Sequence, residues 1–308
     1  MKILITGGAG FIGSHVADAY INLGHDVVII DNLSTGRKEN LNKKAKFIEM
    51  DIQDSTIFDI FEKEKFDIVN HHAAQMDVRL SVKDPAYDAR NNIIGTINIL
   101  EASARTDVKK VIFISSGGAI YGEQDYFPAD EAHPTRPLSP YGIAKLTGEK
   151  YLYFYHKTYG LNFISLRYAN IYGPRQNPRG EAGVIAIFAS KLLKNEQPII
   201  NGDGKQTRDY VYVSDVVDAN IKAMEFNGCD YFNIGTGLET DVNELFHKLK
   251  HLTKSKAKEV HGPVKPGEQL RSVLNNNKAK QLLNWFPKIN LDQGLKQTVE
   301  FFKNNEMN

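Results

Sequence analysis

Short apolar runs alternate with amphipathic stretches through the first half of the chain. Ile3, Leu4 and Ile5, the segment VVII that ends at Asp31, then FIEM, FDIVNHHAA and VIFIS each read as a strand. Their nearly unbroken apolar character suits a sheet covered on both faces. Between them lie segments of helical period. One begins after Gly13, one covers 55–65 with Ile57, Phe58, Ile60 and Phe61 on its apolar face, and one holds Asn92, Gly95 and Thr96 and runs to Ala104. This alternation predicts an α/β fold built on a doubly wound parallel sheet, with ligands beyond the carboxyl ends of its strands. Near Asn170 the pattern breaks into proline, glycine and arginine. Beyond it VIAIFASKLL, 215–226 and 291–302 read as helices and YFNIG as a strand, while 245–258 is basic and amphipathic and reads as an exposed outer face. No internal repeat or low-complexity stretch interrupts the chain.

The first strand leads directly into glycines. Gly7, Gly10 and Gly13 stand three residues apart between a strand and a helix. Glycine lets backbone approach a pyrophosphate without a Cβ clash, and the N–H groups that open the next helix carry partial positive charge toward it. The next strand ends at Asp31, and an acid about 20 residues on can accept hydrogen bonds from an adenosine ribose. Arg37 lies close enough to be a candidate for a ribose phosphate, so NAD is favoured over NADP and NADP stays open. The fold expected is therefore Rossmann-type, with a smaller, mostly C-terminal substrate-binding domain.

Charge and cysteine content narrow the partners. The net charge of +1 gives no reason to expect nucleic acid or an anionic membrane. Lys43, Lys44 and Lys46 read as a solvated face. Cys229 is the single cysteine, so no intramolecular disulfide forms, which fits a reducing cytoplasm. No apolar stretch reaches membrane-spanning length, and the glycine-broken N-terminal run does not read as a signal peptide. His71 and His72 are adjacent, but no cysteine or helically spaced partner accompanies them, so packing beside a cofactor is favoured over metal binding and no metal is expected.

The chemistry gathers at the strand ends. After VIFIS comes SSGGAIYG, and after a proline-punctuated loop Tyr141 and Lys145 stand four residues apart at the head of an amphipathic stretch reaching Tyr155. On a helix they share one face. A tyrosine of pKa ~10 must fall about three units, or ~4 kcal/mol, to act as a base at neutral pH. One positive charge at ~4 Å is worth ~1 kcal/mol in bulk water and ~4 kcal/mol at an effective dielectric of about 20. Lys145 suffices only in a sheltered cleft, where an oxidised nicotinamide would add to its effect.

Taken together, Gly7, Gly10 and Gly13, the loop at Asp31, Asp51 with Ile52, Asn92 before Gly95 and Thr96, and Tyr141 with Lys145 resemble the extended short-chain dehydrogenase/reductase superfamily. Within it the chain is most similar to the UDP-glucose 4-epimerase family. The resemblance runs over essentially the whole length, including RYANIYGP after Leu166 and QTRDYVYVSDVV from Gln206.

The resemblance implies a cofactor, NAD. Phe11 and Ile12 lie on its pyrophosphate, Asp31, Asn32, Leu33, Ser34, Thr35 and Gly36 hold the adenosine ribose, and Asp51 and Ile52 frame adenine. His72, Ala73, Ala74, Gln75 and Met76 line the path to nicotinamide with Asn92. Lys145 holds the nicotinamide ribose, and Ser115 and Tyr168 complete the cofactor contacts. It also implies a UDP-sugar substrate touched by Gly117, Tyr141, Asn170, Val184, Ile199, Asn201, Arg208, Lys265, Glu268, Arg271 and Ser272. Arg208 has a physical reason as well, since a guanidinium fork suits phosphate oxygens; the competing reading is a surface ion pair with Asp209.

The domains expected are 1–169 for the dinucleotide, with about 207–237 returning to it, and an interleaved nucleotide-sugar region over 170–308. The implied reaction inverts the sugar 4-hydroxyl through a transient 4-keto sugar, with Tyr141 as base, and the implied assembly is a cytoplasmic homodimer. The family usually carries a Ser or Thr hydroxyl beside the tyrosine. Counting back from Tyr121 and Gly122 puts Gly117 at that position, and counting back from Tyr141 puts Ser116 there; the first anchor is preferred because the intervening loop varies in length. Ser116 remains the catalytic candidate on the second count. Two other readings stay open: a nucleotide-sugar 4,6-dehydratase or decarboxylase, and a non-catalytic dinucleotide sensor.

Overall fold

The computed structural model describes residues 1–178, 183–264 and 269–306. In chain order its first half consists of β1 (Lys2–Thr6), α1 (Phe11–Asn22), β2 (Asp26–Asp31), β3 (Lys46–Glu49), α2 (Ile57–Glu64), β4 (Ile68–His71), α3 (Val78–Lys83) and α4 (Pro85–Ala89). A π-helical turn (Arg90–Ile94) joins α4 to α5 (Gly95–Arg105), followed by β5 (Lys110–Ser116), α6 (Gly117–Ile120), α7 (Pro140–Tyr159) and β6 (Asn162–Tyr168). The second half holds β7 (Asn170–Tyr172), α8 (Val184–Leu193), β8 (Ile200–Asn201), β9 (Thr207–Arg208), β10 (Tyr210–Tyr212), α9 (Val213–Glu225) and β11 (Asp230–Ile234). It ends with β12 (Thr240–Asp241), α10 (Val242–Thr253), β13 (His261–Gly262), β14 (Arg271–Ser272), α11 (Asn277–Leu282) and α12 (Leu291–Glu306).

Seven strands form one parallel sheet in the order β11-β6-β5-β4-β1-β2-β3. Alternate residues of each strand face opposite layers. Ile3, Ile5, Val27, Ile29, Ile112 and Ile164 join Val16, Tyr20, Val216 and Ala219 on one side. Leu4, Val28, Ile30, Val111, Phe113 and Phe163 join Ile57, Phe61, Ile99 and Leu152 on the other. At roughly 1.5–3 kcal/mol for each large side chain fully buried, these two layers supply the main favourable term of folding.

The outer strand β11 comes from far along the chain and pairs with β6 from Asp230↔Ile164 to Ile234↔Tyr168. A third cluster, including Phe188, Leu192, Leu245, Phe246, Leu249 and Leu295, forms the core of the second lobe from α8, α10 and α12. Here the sequence expectation needs correction. The basic segment 245–258 is not simply an outer face: α10 ends at Thr253, and Leu245, Phe246 and Leu249 are fully buried while its lysines stay outside. Lys46, too, is more than a solvated charge, because its Nζ lies 2.5 Å from Glu64 Oε1.

Among the described residues no helix is long and apolar enough to cross a membrane.

Candidate active site

The glycine turn between β1 and α1 is held open by packing. A Cβ on Gly7 would come 2.6 Å from Ala73 N, so the turn can lie against the chain leaving β4 only with glycine there. Gly10 caps α1, and a Cβ on it would meet only Gly7 O, at 3.1 Å. Helix geometry leaves the N–H groups of Phe11, Ile12 and Gly13 without intrahelical acceptors, so they form an anion-binding cradle at the carboxyl edge of the sheet.

Asp31 is fixed beside this turn. Its Oδ2 accepts from Ala9 N at 2.9 Å and its Oδ1 from Leu33 N at 2.8 Å, while burial pushes its carboxyl above the usual range. Asn32, Ser34 and Thr35 are exposed around it, and Gly36 approaches so closely that a Cβ would lie 2.8 Å from Asp31 Oδ1. Arg37 turns away to Glu39 and Asn177. Asp51 accepts from Asn32 Nδ2 at 2.7 Å and Gln53 N at 2.8 Å, and Ile52 packs so tightly on Gly95 that a Cβ there would meet Ile52 Cδ1 at 2.5 Å.

At the ends of β4 and β5 the histidines separate in role. His71 is buried, with Nδ1 2.6 Å from Thr6 Oγ1 and Nε2 3.1 Å from Thr96 Oγ1, so both ring nitrogens are engaged within the fold. His72 Nε2 and Ser115 Oγ are buried and find no partner among the described residues. Buried polar atoms are nearly always paired, so two orphans at this edge fit a site that a polar group completes. Among the described residues no cluster of His, Cys, Asp and Glu could hold a metal ion.

Asn92 has a different job from lining a path. Its Oδ1 accepts from Gln75 N at 2.8 Å, and its Nδ2 donates to Gln75 O at 2.8 Å and Asp88 Oδ1 at 2.9 Å. It braces the loop that carries Ala73, Ala74, Gln75 and Met76, with Met76 about half exposed.

The helix α7 delivers Tyr141 and Lys145. Ser139 caps it by accepting from Gly142 N at 3.1 Å, Pro140 fills the first turn, and Gly160 ends it at φ 73°. Lys145 is buried with its Nζ 2.8 Å from Ile114 O, 5.1 Å from the Phe113 ring centroid and 5.8 Å from that of Tyr141. Burial lowers its pKa to about 8, opposed by the carboxylate of Asp88.

Across from α7, a second group converges on Gly118. A Cβ there would lie 3.5 Å from Asn170 Oδ1, 3.9 Å from Ser272 Oγ and 4.0 Å from Ser116 Oγ. Gly117 does not face this space. It is buried beneath Leu274, whose Cδ1 would come 2.5 Å from a Cβ at 117. A side-chain hydroxyl therefore has no room at 117, and the sugar contact expected of Gly117 is not available to a side chain there.

Among the other expected substrate residues, Arg208 is half-buried, with Nη1 2.8 Å from Thr207 O. Asp209 is no ion-pair partner for it: its buried carboxylate accepts from Thr236 N and Oγ1, Gly237 N and Leu274 N. Arg271 is paired at the surface. Its Nε and Nη2 lie 2.9 and 2.7 Å from the two oxygens of Glu239, and its guanidinium sits 3.8 Å from the Phe127 ring centroid. Neighbours on a strand point to opposite faces, so Ser272 turns into the Gly118 pocket and Arg271 turns outward.

Val184 begins α8 beside the second core, Ile199 is half exposed, and Asn201 pairs with Gly262 on β13. Lys265 and Glu268 lie outside the described residues. Tyr168 is core: it is 4% exposed and its hydroxyl accepts from Asn220 Nδ2 at 2.6 Å, which leaves only its backbone for the sheet edge.

Two buried features escaped the sequence reading. Arg167 on β6 makes a bidentate pair with Glu149 on α7, at 2.9 and 2.7 Å, and donates to Tyr121 Oη at 2.9 Å. This pins the segment after β5 to the sheet. Asp88 sits behind the Asn92 amide. Its spacing of four residues from Asn92 was a signal, since it places both on one helical face.

A parallel sheet with a glycine cradle at one strand end and a Tyr-Lys pair at another defines a dinucleotide-dependent enzyme of the short-chain type. The chain belongs to the NAD dependent epimerase/dehydratase family, whose model matches residues 3–235. It is 42% identical to a UDP-glucose 4-epimerase of Mycolicibacterium smegmatis, over 99% of each chain. The fold matches the crystal structure of a Thermotoga maritima UDP-glucose 4-epimerase with UDP-glucose at a TM-score of 0.98, with 51% identity, 99% of this chain and 100% of that one. It matches the Thermus thermophilus UDP-glucose 4-epimerase in complex with NAD at 0.94, with 40% identity, 98% of this chain and 99% of that one.

Proposed function

We propose that this protein is a UDP-glucose 4-epimerase, interconverting UDP-glucose and UDP-galactose with NAD as its resident cofactor. The observation that carries the reading is the placement of Tyr141 and Lys145 at the head of α7, with Lys145 tied to Ile114 O at the carboxyl edge of the sheet that also bears the glycine cradle. Residues 1–169, with about 207–237, bind the dinucleotide, and the rest of 170–308 binds the nucleotide sugar.

The residues divide the work. The N–H groups of Phe11, Ile12 and Gly13 hold the pyrophosphate, Asp31 takes the adenosine ribose hydroxyls, and Lys145 takes the nicotinamide ribose. NAD, when bound, supplies the hydride acceptor at carbon 4 and returns the same equivalent to the opposite face. Tyr141 Oη takes the proton of the sugar 4-hydroxyl as the 4-keto sugar forms, then gives it back to the inverted oxygen. Lys145, a buried cation beside that phenol, stabilises the phenolate. Arg208 offers a guanidinium to the diphosphate. Asn170 and Ser272, converging with Ser116 on Gly118, bound the sugar pocket.

The protein works as a cytoplasmic homodimer. Support comes from Ile143, Tyr153 and Phe154 on α7, which expose 51%, 53% and 46% of their surfaces, an apolar face that a second copy covers. Sedimentation of Phe154→Glu should give monomers; an unchanged dimer places the interface elsewhere.

Purified protein incubated with UDP-glucose and no added cofactor should form UDP-galactose. A keto-deoxy product would instead mark a dehydratase, and no turnover with bound NAD a sensor.

A further inference from the structure

Asp88 ends α4 almost completely enclosed, at 1% exposure. Its Oδ1 accepts two hydrogen bonds, from Gln75 Nε2 and Asn92 Nδ2, each 2.9 Å long. Its Oδ2 is also buried and takes no hydrogen bond from any described residue. Leaving a carboxylate oxygen dry and unpaired is costly, and such an atom persists when something nearby needs its charge. The surroundings name the beneficiary. The helix α4 packs against α7; burial pushes the Asp88 carboxyl up, and the hydrogen bonds from Gln75 and Asn92 and then the positive field of Lys145 hold it down.

Four titratable groups face Lys145: His71 and His72 from the end of β4, Tyr141 from its own helix and Asp88 from α4. The histidines are held neutral by burial. Tyr141 is negative as the phenolate that awaits the sugar proton and neutral once it has taken it. Asp88 is therefore the negative charge in this set that lasts through the whole cycle.

We infer that Asp88 is a positioning residue for the reaction: its carboxylate keeps Lys145 in the ammonium form and, through Gln75 and Asn92, fixes the loop that faces the nicotinamide. This rests on the reading of Tyr141 and Lys145 given above and extends it to a third residue that does not touch the substrate. The need is physical. Burial has already brought Lys145 down to about 8, so little separates the working ammonium from a neutral amine that could not stabilise a phenolate. Removing the lasting negative charge moves that transition into the operating range.

The test is Asp88→Asn, which keeps an oxygen for Gln75 and Asn92 and replaces the charged Oδ2 by a neutral amide nitrogen. The alkaline limb of the kcat profile should shift to lower pH by about one unit, with KM for the UDP-sugar unchanged. The same substitution is then made on a Lys145→Arg background. A guanidinium does not deprotonate in this range, so Asp88→Asn should leave the profile of that enzyme unmoved.

A shift of equal size on both backgrounds would mark a purely structural effect and overturn the inference, as would no shift on either. If Asp88→Asn does not fold, Asp88→Ser takes its place and is read the same way. Tyr141→Phe is assayed alongside. Activity surviving in that variant sinks the reading of the site itself, whereas an unmoved Asp88→Asn profile with Tyr141→Phe inactive sinks only the role of Asp88.

Discussion

Leu274 Cδ1 occupies the space where a side chain on Gly117 would begin, 2.5 Å from the built Cβ. Position 117 is thus closed to a side chain by a leucine. Gly117→Ser should destabilise the protein by about 1–3 kcal/mol through overpacking. Pairing it with Leu274→Ala should recover part of that loss in urea unfolding. Ser116→Ala should keep much of the epimerase activity, because Tyr141 and not a serine accepts the proton. A drop of several orders of magnitude with NAD retained would show that Ser116 supplies the hydroxyl after all.

The sugar pocket is bounded by a small residue, Ser272, 3% exposed and within reach of Gly118. An N-acetyl group should be tolerated there, so UDP-N-acetylglucosamine should be epimerised as well. Ser272→Tyr should abolish that reaction while sparing UDP-glucose. Failure of the natural protein to bind UDP-N-acetylglucosamine contradicts the prediction.

Arg167 and Glu149 form a charge pair shielded from water on both sides, with side-chain exposures of 7% and 2%. Arg167→Met strands Glu149 as a buried carboxylate. The expected cost is about 3–5 kcal/mol, measured by denaturant unfolding. Arg167→Met with Glu149→Leu should lose much less, since no bare charge remains.

Acid should unfold the protein early through its histidines. Burial, followed by the positive field of Lys145, lowers both His71 and His72 to about 3. The unfolded chain binds protons at these rings near pH 6.5 and the folded chain does not, so stability falls as pH drops from about 6.5 toward 3. The melting temperature should decline across that window, and less steeply in His72→Gln, which loses no protein hydrogen bond. Equal slopes in the two proteins would assign acid lability to other groups.

Much of this architecture was legible in the chain because the signals were local. Apolar runs fixed the strands, and the four-residue interval put Tyr141 and Lys145 on one turn of α7. What stayed hidden depends on contacts between distant segments. Nothing around Gly117 announces Leu274, which lies 157 residues away and is held there by a bridge to Ala129. The pairing of Arg271 with Glu239 and of the Tyr168 hydroxyl with Asn220 likewise joins residues far apart in the chain. The basic stretch on α10 concealed a buried stripe because three apolar residues carry it among many lysines.

The outer strand β11 and the indole of Trp285, which donates to Asp215 O at 2.8 Å, both reach the first layer from between the helices of the second lobe. Exchanging everything past residue 169 for that of a relative would set a foreign β11 against β6. A change of the outer lobe is therefore also a change at the rim of the first layer.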